Sequence, residues 1–423
     1  MVSREMMPGW VFLSLFICTL LFGTLFQWWL LPETPWYAGH GLMKGGDWLQ
    51  FFEEARNLAE RIRSAGWGEW ELRYDGQWPA SLMAAVFVLT GREHASVVLP
   101  VYSALYALTG AALTAVALKL DMSDRRALMV LLVLAFPSTI VIWGQPHKDV
   151  FSLTGIVLLI WSWSTVQFDS GVSRWLRVAL GVFLGFGLIW LPRPYLIEVS
   201  LIAMIIGMVV SIACARERQV LALRGSLFVL MALLAVLSYK AAGQAGQAGQ
   251  RMCLSWKPEL YIPFVNEQVG SLICYRHSFI RSYSGQASNI DFDRPLTNYH
   301  EIFSYLPRAA LLALTSPVPS FGALTGSIHA TSPGGKMKLA IAAYEMIVFY
   351  GGLIGCVIWI WKGEGSQRAF ASGVFVFALA VAVFYVLSSP NEGTLFRMRF
   401  PEFTLWWLLG VAGWNLLRLE MMA

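Results

Sequence analysis

Three polar side chains stand together in an otherwise apolar neighbourhood. They are His147, Lys148 and Asp149 in GQPHKDVF (144–151), with ALMVLLVLAFPSTIVIW before the stretch and SLTGIVLLIWSW after it. Ionic groups beside a bilayer are costly, so the cluster needs a chemical reason. Related groups recur along the chain. Asp47 follows Gly45 and Gly46 and precedes a helical run, Arg193 sits between two prolines in LPRPYLIEV (191–199), and Arg397 and Arg399 flank Met398 in SSPNEGTLFRMRFPEF (388–403). A carboxylate at a membrane face can take a proton from an incoming hydroxyl. Arginine suits bidentate binding of phosphate, and lysine supplies a point charge. Two carboxylates with Lys148, Arg193, Arg397 and Arg399 therefore fit a site for a lipid-linked phosphate, the cations stabilising charge on the departing group. Each residue also has a plainer reading. Asp47 suits an N-cap with Gln50 closing a capping box. Asp149 suits a cap for the span it opens, Lys148 a snorkelling side chain, His147 a structural imidazole, and Arg399 a partner for Glu402 at i, i+3.

The elements that must position these groups are membrane helices. The chain has 423 residues, 57% hydrophobic and only 13% charged, against about 25% charged for a soluble protein. Apolar runs of spanning length predict about ten transmembrane helices, at 9–31, 95–118, 127–143, 150–167, 176–192, 195–213, 225–240, 339–361, 369–388 and 400–418. The 19 Trp and 14 Tyr suit interfacial belts. The N-terminal run has no small-residue cleavage site and reads as an uncleaved first span. Lys119, Arg125 and Arg126, then Arg174 and Arg177, then Arg216, Arg218 and Arg224, then Lys362 and Arg368 fall in alternate short connections. The positive-inside rule makes these cytoplasmic, together with both termini. GQPHKDVF, the Arg193 turn and residues 389–399 then face outward.

The first outer loop, 31–94, contains GGDWLQFFEEARNLAERI (45–62). Trp48, Phe51, Phe52, Ala55, Leu58, Ala59 and Ile62 form one apolar stripe, which predicts an amphipathic helix over 47–63 lying on the membrane. The large outer loop, 241–338, holds a low-complexity stretch AAGQAGQAGQ and an apolar segment at 306–322. That segment and 78–91 are too short or too proline-rich to span and are expected to be interfacial or re-entrant. The whole chain, 1–423, reads as one polytopic membrane domain. GVFLG (181–185) and GGLIG (351–355) contain GxxxG, which allows close helix packing. Cys253 and Cys274 share the large loop and are candidates for a disulfide in an oxidising compartment. Glu198 and Glu345 find no role in this pattern. No basic tract suits nucleic acid.

Several of these stretches, in order, resemble the bacterial GT-C superfamily, integral-membrane glycosyltransferases that use polyprenyl-phosphate-linked sugars and include protein O-mannosyltransferases and aminoarabinose transferases. GDWLQFFEEARNLAE resembles the family's first-loop acidic residue and helix. FPSTIVIWGQPHKDVFSLTGIVLLI resembles its second-loop Pro…Trp…Lys-Asp segment. LPRPYL resembles an Arg-Pro-Tyr turn, YLPRAALLALTSPVPS an outer helix ending in Pro-x-Pro, and FRMRFPEFTLWWLLG the R-x-R-x-P start of a late span. The sequence departs from the pattern at Phe51 and Phe52, where relatives often carry Tyr, and at Met398, where Arg-Tyr-Arg is usual. The reading includes no bound divalent metal. The resemblance implies an enzyme of the bacterial cytoplasmic membrane that transfers a sugar, with inversion, at the outer face and needs no cofactor. Its donor is a polyprenyl-phosphate sugar, and its acceptor a lipid-linked glycan, lipopolysaccharide or another cell-envelope glycan. It also implies Asp47 and Asp149 as catalytic carboxylates and the four cations as the donor-phosphate site, with His147 and Tyr195 as candidate substrate contacts. Rival readings are an O-antigen-type polysaccharide polymerase or ligase, which shares such substrates, and a transporter or flippase, which calls for inverted repeats and midplane charges. A scaffold in which the carboxylates are only caps is a third.

Overall fold

The computed structural model describes residues 4–74, 76–243, 263–282, 289–294, 296–316 and 333–422. Among them, eight helical segments are long and apolar enough to cross a membrane: Arg4–Glu33, Ala95–Lys119, Asp149–Phe168, Ser173–Trp190, Leu196–Cys214, Arg218–Ala241, Ile341–Lys362 and Gly365–Ser388. The protein is a multi-pass membrane protein, and among the described residues it is all-α apart from one short hairpin. Each of the eight coincides with an apolar run read from the sequence.

Two expected spans are not among the eight. The run 127–143 is broken, because Pro137 has no N–H to donate and its ring disfavours helical backbone at the residue before it. Phe136 is accordingly extended (φ −67°, ψ 143°). The run divides into helix Asp124–Val130, a tight turn at Leu131–Ala135 and helix Pro137–Gly144. The last helix, Phe400–Met422, is long enough but carries Glu402 and Asn415, which lower its apolarity.

The chain divides into two compact units, Met1–Ile197 and Glu198–Ala423. The first contains α1 (Met7–Leu25), a hairpin of β1 (Tyr37–Gly39) and β2 (Leu42–Met43), α2 (Trp48–Ala65), α3 (Trp78–Thr90), α4 (Leu99–Lys119), α5 (Asp124–Val130), α6 (Pro137–Gly144), α7 (Asp149–Phe168) and α8 (Ser173–Trp190). Here α1 packs on α4, α4 on α7 and α7 on α8, while α2 packs on α3. The second contains α9 (Leu196–Cys214), α10 (Arg218–Gly243), α11 (Pro263–Ser282), α12 (Tyr299–Thr315), α13 (Pro333–Lys362), α14 (Gly365–Ser388), α15 (Glu392–Met398) and α16 (Phe400–Met422). In it α13 packs on α16, and α14 contacts α11, α12, α13 and α16.

The α2 stripe matches the sequence reading residue for residue: Trp48, Phe51, Phe52, Ala55, Leu58, Ala59 and Ile62 are its buried side chains. They are covered by the protein itself. Phe52 meets the Phe87 ring of α3 edge-on at 5.4 Å, and His40 lies over Phe52 at 5.0 Å. A stripe sealed in this way presents no apolar face to lipid, so the helix is a packed element of the first unit. The segment 78–91 forms the short apolar helix α3. Residues 306–315 lie in α12 with Pro307 inside the helix, and 317–322 fall outside the described residues. Cys253 and the stretch 244–250 also fall outside them. Glu198 has a role after all, as an ion-pair partner of Lys240 between α9 and α10.

Both GxxxG stretches mark close crossings. A Cβ on Gly185 would lie 2.9 Å from the Gly155 carbonyl oxygen of α7, and one on Gly181 would lie 2.2 Å from Ser162 Oγ. In the second unit the crossing involves Gly352 and Gly355 of α13 against Gly410 and Gly413 of α16, two glycines not singled out in the sequence. A Cβ on Gly410 would stand 2.3 Å from the Gly352 carbonyl oxygen, whereas one on Gly351 would meet nothing within 4 Å. Gly410→Ala is expected to destabilise the protein by about 1–3 kcal/mol, the usual cost of forcing atoms into a packed contact. Gly351→Ala should be nearly neutral. Thermal unfolding of the two purified variants in one detergent checks this.

Candidate functional site

The first loop, the GQPHKDVF junction and the Arg193 turn meet in the first unit. The β1–β2 hairpin turns through Gly39, His40 and Gly41, all with positive φ. Gln145, only 2% exposed, holds it: its Oε1 accepts the Met43 N–H at 3.0 Å, and its Nε2 donates to the carbonyls of Gly41 (3.3 Å) and Gly144 (2.9 Å). Gln27, just beyond α1, donates from Nε2 to the Gly144 carbonyl at 2.8 Å. One residue past Asp47, the Trp48 ring lies 5.9 Å from the His147 ring, and Lys148 Nζ stands 5.7 Å from the centre of the Phe51 ring. Arg73 ties the first loop to the end of α8, donating to the carbonyls of Trp190 (2.6 Å) and Leu191 (3.0 Å) and stacking over Trp190 at 4.0 Å. Segments about a hundred residues apart in sequence thus share one end of the helices.

A buried charged cluster lies at this meeting point. Asp149 is the first residue of α7, where the helix dipole favours a carboxylate. Its Oδ1 accepts from Arg193 Nη2, and its Oδ2 lies 3.1 Å from His147 Nδ1. The Asp149 N–H donates to that same His147 nitrogen at 3.1 Å, so the imidazole caps α7. The exposures of His147, Asp149 and Arg193 are 1%, 2% and 3%, so all three are shielded from bulk water. Arg193 is held from the other side by its own N–H on the Ile189 carbonyl at 3.1 Å, at the end of α8. Asp149 is therefore built as the ionic partner that orients Arg193.

Asp47 is different. It stands at the N-terminus of α2 with helical backbone angles (φ −63°, ψ −19°), and its side chain makes no capping hydrogen bond. The expected capping box does not form, because Gln50 instead donates to Glu54 Oε1 at 2.6 Å, one helical turn on. Asp47, Lys148 and Tyr195 are all partly exposed. An apolar crevice between α1 and α6, lined by Phe22, Phe26, Ile140 and Trp143, reaches Met43 and Gln145 beside the junction.

The two C-terminal cations lie in the second unit and differ from each other. Arg397 is partly exposed. Arg399 is fully buried, and its guanidinium closes the end of α12, donating to the carbonyls of Leu312 (2.7 Å), Ala313 and Ser316, with a further bond to Leu395 (3.2 Å). That coordination gives Arg399 an architectural task, with the buried Glu402 carboxylate as a favourable charge beside it. Arg276, which the sequence reading passed over, does the same for α14. It is fully buried and donates to the carbonyls of Val386 and Leu387 (3.2 Å each), Asp291 (3.0 Å) and Arg294 (3.0 Å). Gln145 lies inside GQPHKDVF but was passed over in favour of its charged neighbours, and neither Arg73 nor Arg276 lies in a motif. Among the described residues no group of three or more His, Cys, Asp and Glu is arranged to hold a metal ion.

Comparison with family models, curated proteins and solved structures finds no match for this chain.

Removing one member of a buried ion pair leaves the other charge uncompensated, which costs about 3–5 kcal/mol. Asp149→Asn and Arg193→Met are each expected to lower stability on that scale. The double variant should recover much of the loss, and thermal unfolding of the set gives the coupling.

Proposed function

We propose that the protein is a glycosyltransferase of the bacterial cytoplasmic membrane, moving a sugar from a polyprenyl-phosphate donor to a cell-envelope glycan acceptor at the outer face, with both termini cytoplasmic. The observation that carries this reading is the convergence of the Asp47 segment, the 144–149 junction and the Arg193 turn at one end of the first unit's helices. Among the carboxylates of that cluster, Asp47 is the one suited to general-base work. It is partly exposed at the head of α2, whereas Asp149 is buried against Arg193. Asp47 would take the proton of the acceptor hydroxyl as that oxygen attacks the anomeric carbon, and the phosphate would leave with the bonding pair.

Lys148 and Arg193 are the cations for the departing phosphate in this unit. Asp149 and the capping His147 keep the Arg193 guanidinium in one orientation, which lowers the reorganisation needed as charge develops. The apolar crevice beside Gln145 suits the first part of a lipid tail, which stays in the bilayer while the headgroup reacts. Arg397 and Arg399 lie in the second unit, where Arg399 acts through the architecture of α12. Charges clustered at helix ends favour surface chemistry over carriage of a solute through the midplane.

The test is transfer by purified protein from a polyprenyl-phosphate sugar, with the lipid-linked sugars of the native host analysed alongside. Asp47→Asn is expected to lower kcat by about 10²-fold or more, the lower range for losing a general base. Its melting temperature should stay near that of the wild type, because no side-chain cap is lost. Full activity in Asp47→Asn would remove the base assignment. Accumulation of short glycans, rather than single sugar units, on the lipid carrier would assign the site to a polymerase.

A further inference from the structure

Besides Gln145, an imidazole bears on the hairpin of the first loop. His94 immediately precedes the segment Ala95–Lys119. Its Nδ1 accepts the Ser96 N–H at 3.2 Å and lies 2.8 Å from Ser96 Oγ, so it caps the turn leading into α4. Trp28, just past α1, donates from Nε1 to the same hydroxyl at 3.1 Å and stacks on the imidazole, with centroids 4.1 Å apart and planes 16° from parallel. The ring also fills the space over Gly41, where φ is +76° and a Cβ would lie 2.6 Å from His94 Cε1 and 3.0 Å from Gln27 Oε1. Gly41 and Met43 are the residues that Gln145 holds. On the hairpin itself, the His40 carbonyl accepts the Ala95 N–H at 2.9 Å, and His40 Nδ1 donates to the Glu93 carbonyl at 3.0 Å.

An accepting Nδ1 requires a neutral ring with its hydrogen on Nε2. Protonation puts a second hydrogen on Nδ1, which can then only donate, to Ser96 Oγ, so the bond from the Ser96 N–H and with it the backbone cap is lost. The charged and titratable groups around the ring do not compensate. From the hairpin comes His40, a like charge when protonated. From the preceding residue comes Glu93, whose carboxylate already accepts from Arg56 (3.0 Å) and Arg63 (2.7 Å) of α2. Gln27 and Trp28 beside α1 and Ser96 before α4 are uncharged.

We infer that His94 is a pH-operated latch: neutral, it ties α1, the β1–β2 hairpin and the start of α4 together and so holds the hairpin against Gln145; protonated, it lets the hairpin go. Burial first, and His40 second, hold the proton affinity of His94 below the ordinary imidazole value of 6.5. The sign follows from that depression. A released hairpin takes up the proton more readily than a fastened one, so the latch is whole above about pH 6.5 and weakens as pH falls below it, toward the lowered native value. The inference does not depend on the glycosyl-transfer reading.

The test is hydrogen–deuterium exchange of the full-length protein in lipid nanodiscs, corrected for intrinsic rates, between about pH 7.5 and about pH 5. Amides of 39–46 and 95–99 are expected to lose protection together, by roughly five- to tenfold, the scale of one N-cap. In His94→Asn the Oδ1 can accept the same N–H without titrating, so these amides should stay protected throughout. His40→Gln, at an exposed position, removes the like charge and should move the wild-type midpoint to higher pH. Unchanged wild-type protection, the same pH profile in His94→Asn, or an unmoved midpoint in His40→Gln would each overturn the latch.

Discussion

A helix inside a low-dielectric slab leaves its last carbonyls without partners, and each such group costs free energy if it stays dry. Much of this protein's architecture follows from how that demand is met. Arg73 closes α8, Arg276 closes α14 and Arg399 closes α12, each with several donors of one guanidinium on main-chain oxygens. Arginine suits the task because its five N–H groups are fixed in a plane and its charge complements the negative end of the helix dipole. Each capped end is also where the chain leaves its helix for a segment of interest. The Arg193 turn follows α8, and the Asn391–Arg399 stretch follows α14. A surplus of arginine at such turns thus serves the helices first, and the cations left for a ligand have to be found by tracing where each guanidinium points.

The same tracing explains how far the sequence could be read. The α2 stripe was fully legible, since its period of 3.6 records which face is covered, though not whether lipid or protein covers it. Eight apolar runs emerged as helices of spanning length for the same reason. Pro137 was visible too, but the strength of its break depends on Phe136 turning extended, a local conformational matter that apolarity does not register. In the site, the association of Asp47 with residues 144–149 was suggested by charge type and by a family resemblance. The fate of individual charges was not legible. Asp149 and Arg193 were read as separate substrate-handling groups, and nothing in the sequence showed that they pair with each other. Arg399 has the expected Glu402 charge beside it, but its hydrogen bonds to carbonyls 83 to 87 residues away were not foreseen. Long-range hydrogen bonds leave no period in a sequence.

Small residues complete the picture by setting how closely the helices approach. The crossing of α7 on α8 at Gly155 and Gly185 brings main chain against main chain and sets the geometry of the helix pair whose shared end carries Asp149 at the start of α7 and leads into Arg193 after α8. The ion pair and the glycine crossing thus belong to one structural unit: the crossing sets the spacing, and the charges lock the ends. At the opposite end of the same helices, Asp169 accepts from Lys119 at 3.1 Å and Arg177 at 3.0 Å, so α4, α7 and α8 are tied there as well.

The burial of α7 bears on how the chain is made. Its most apolar window is 94% covered by the protein, while its mean hydropathy is 1.5 and that of α8 is 1.3, against 2.1 for the first span and 2.5 for the segment after α8. A segment that mild, with Thr154, Ser162 and Thr165 along its length, gains little by leaving the ribosome-bound insertion channel for lipid alone. Its affinity is for α4 and α8. In the folded chain α7 is thus a helix lined on nearly every side by other helices, and little of it is left for lipid to touch.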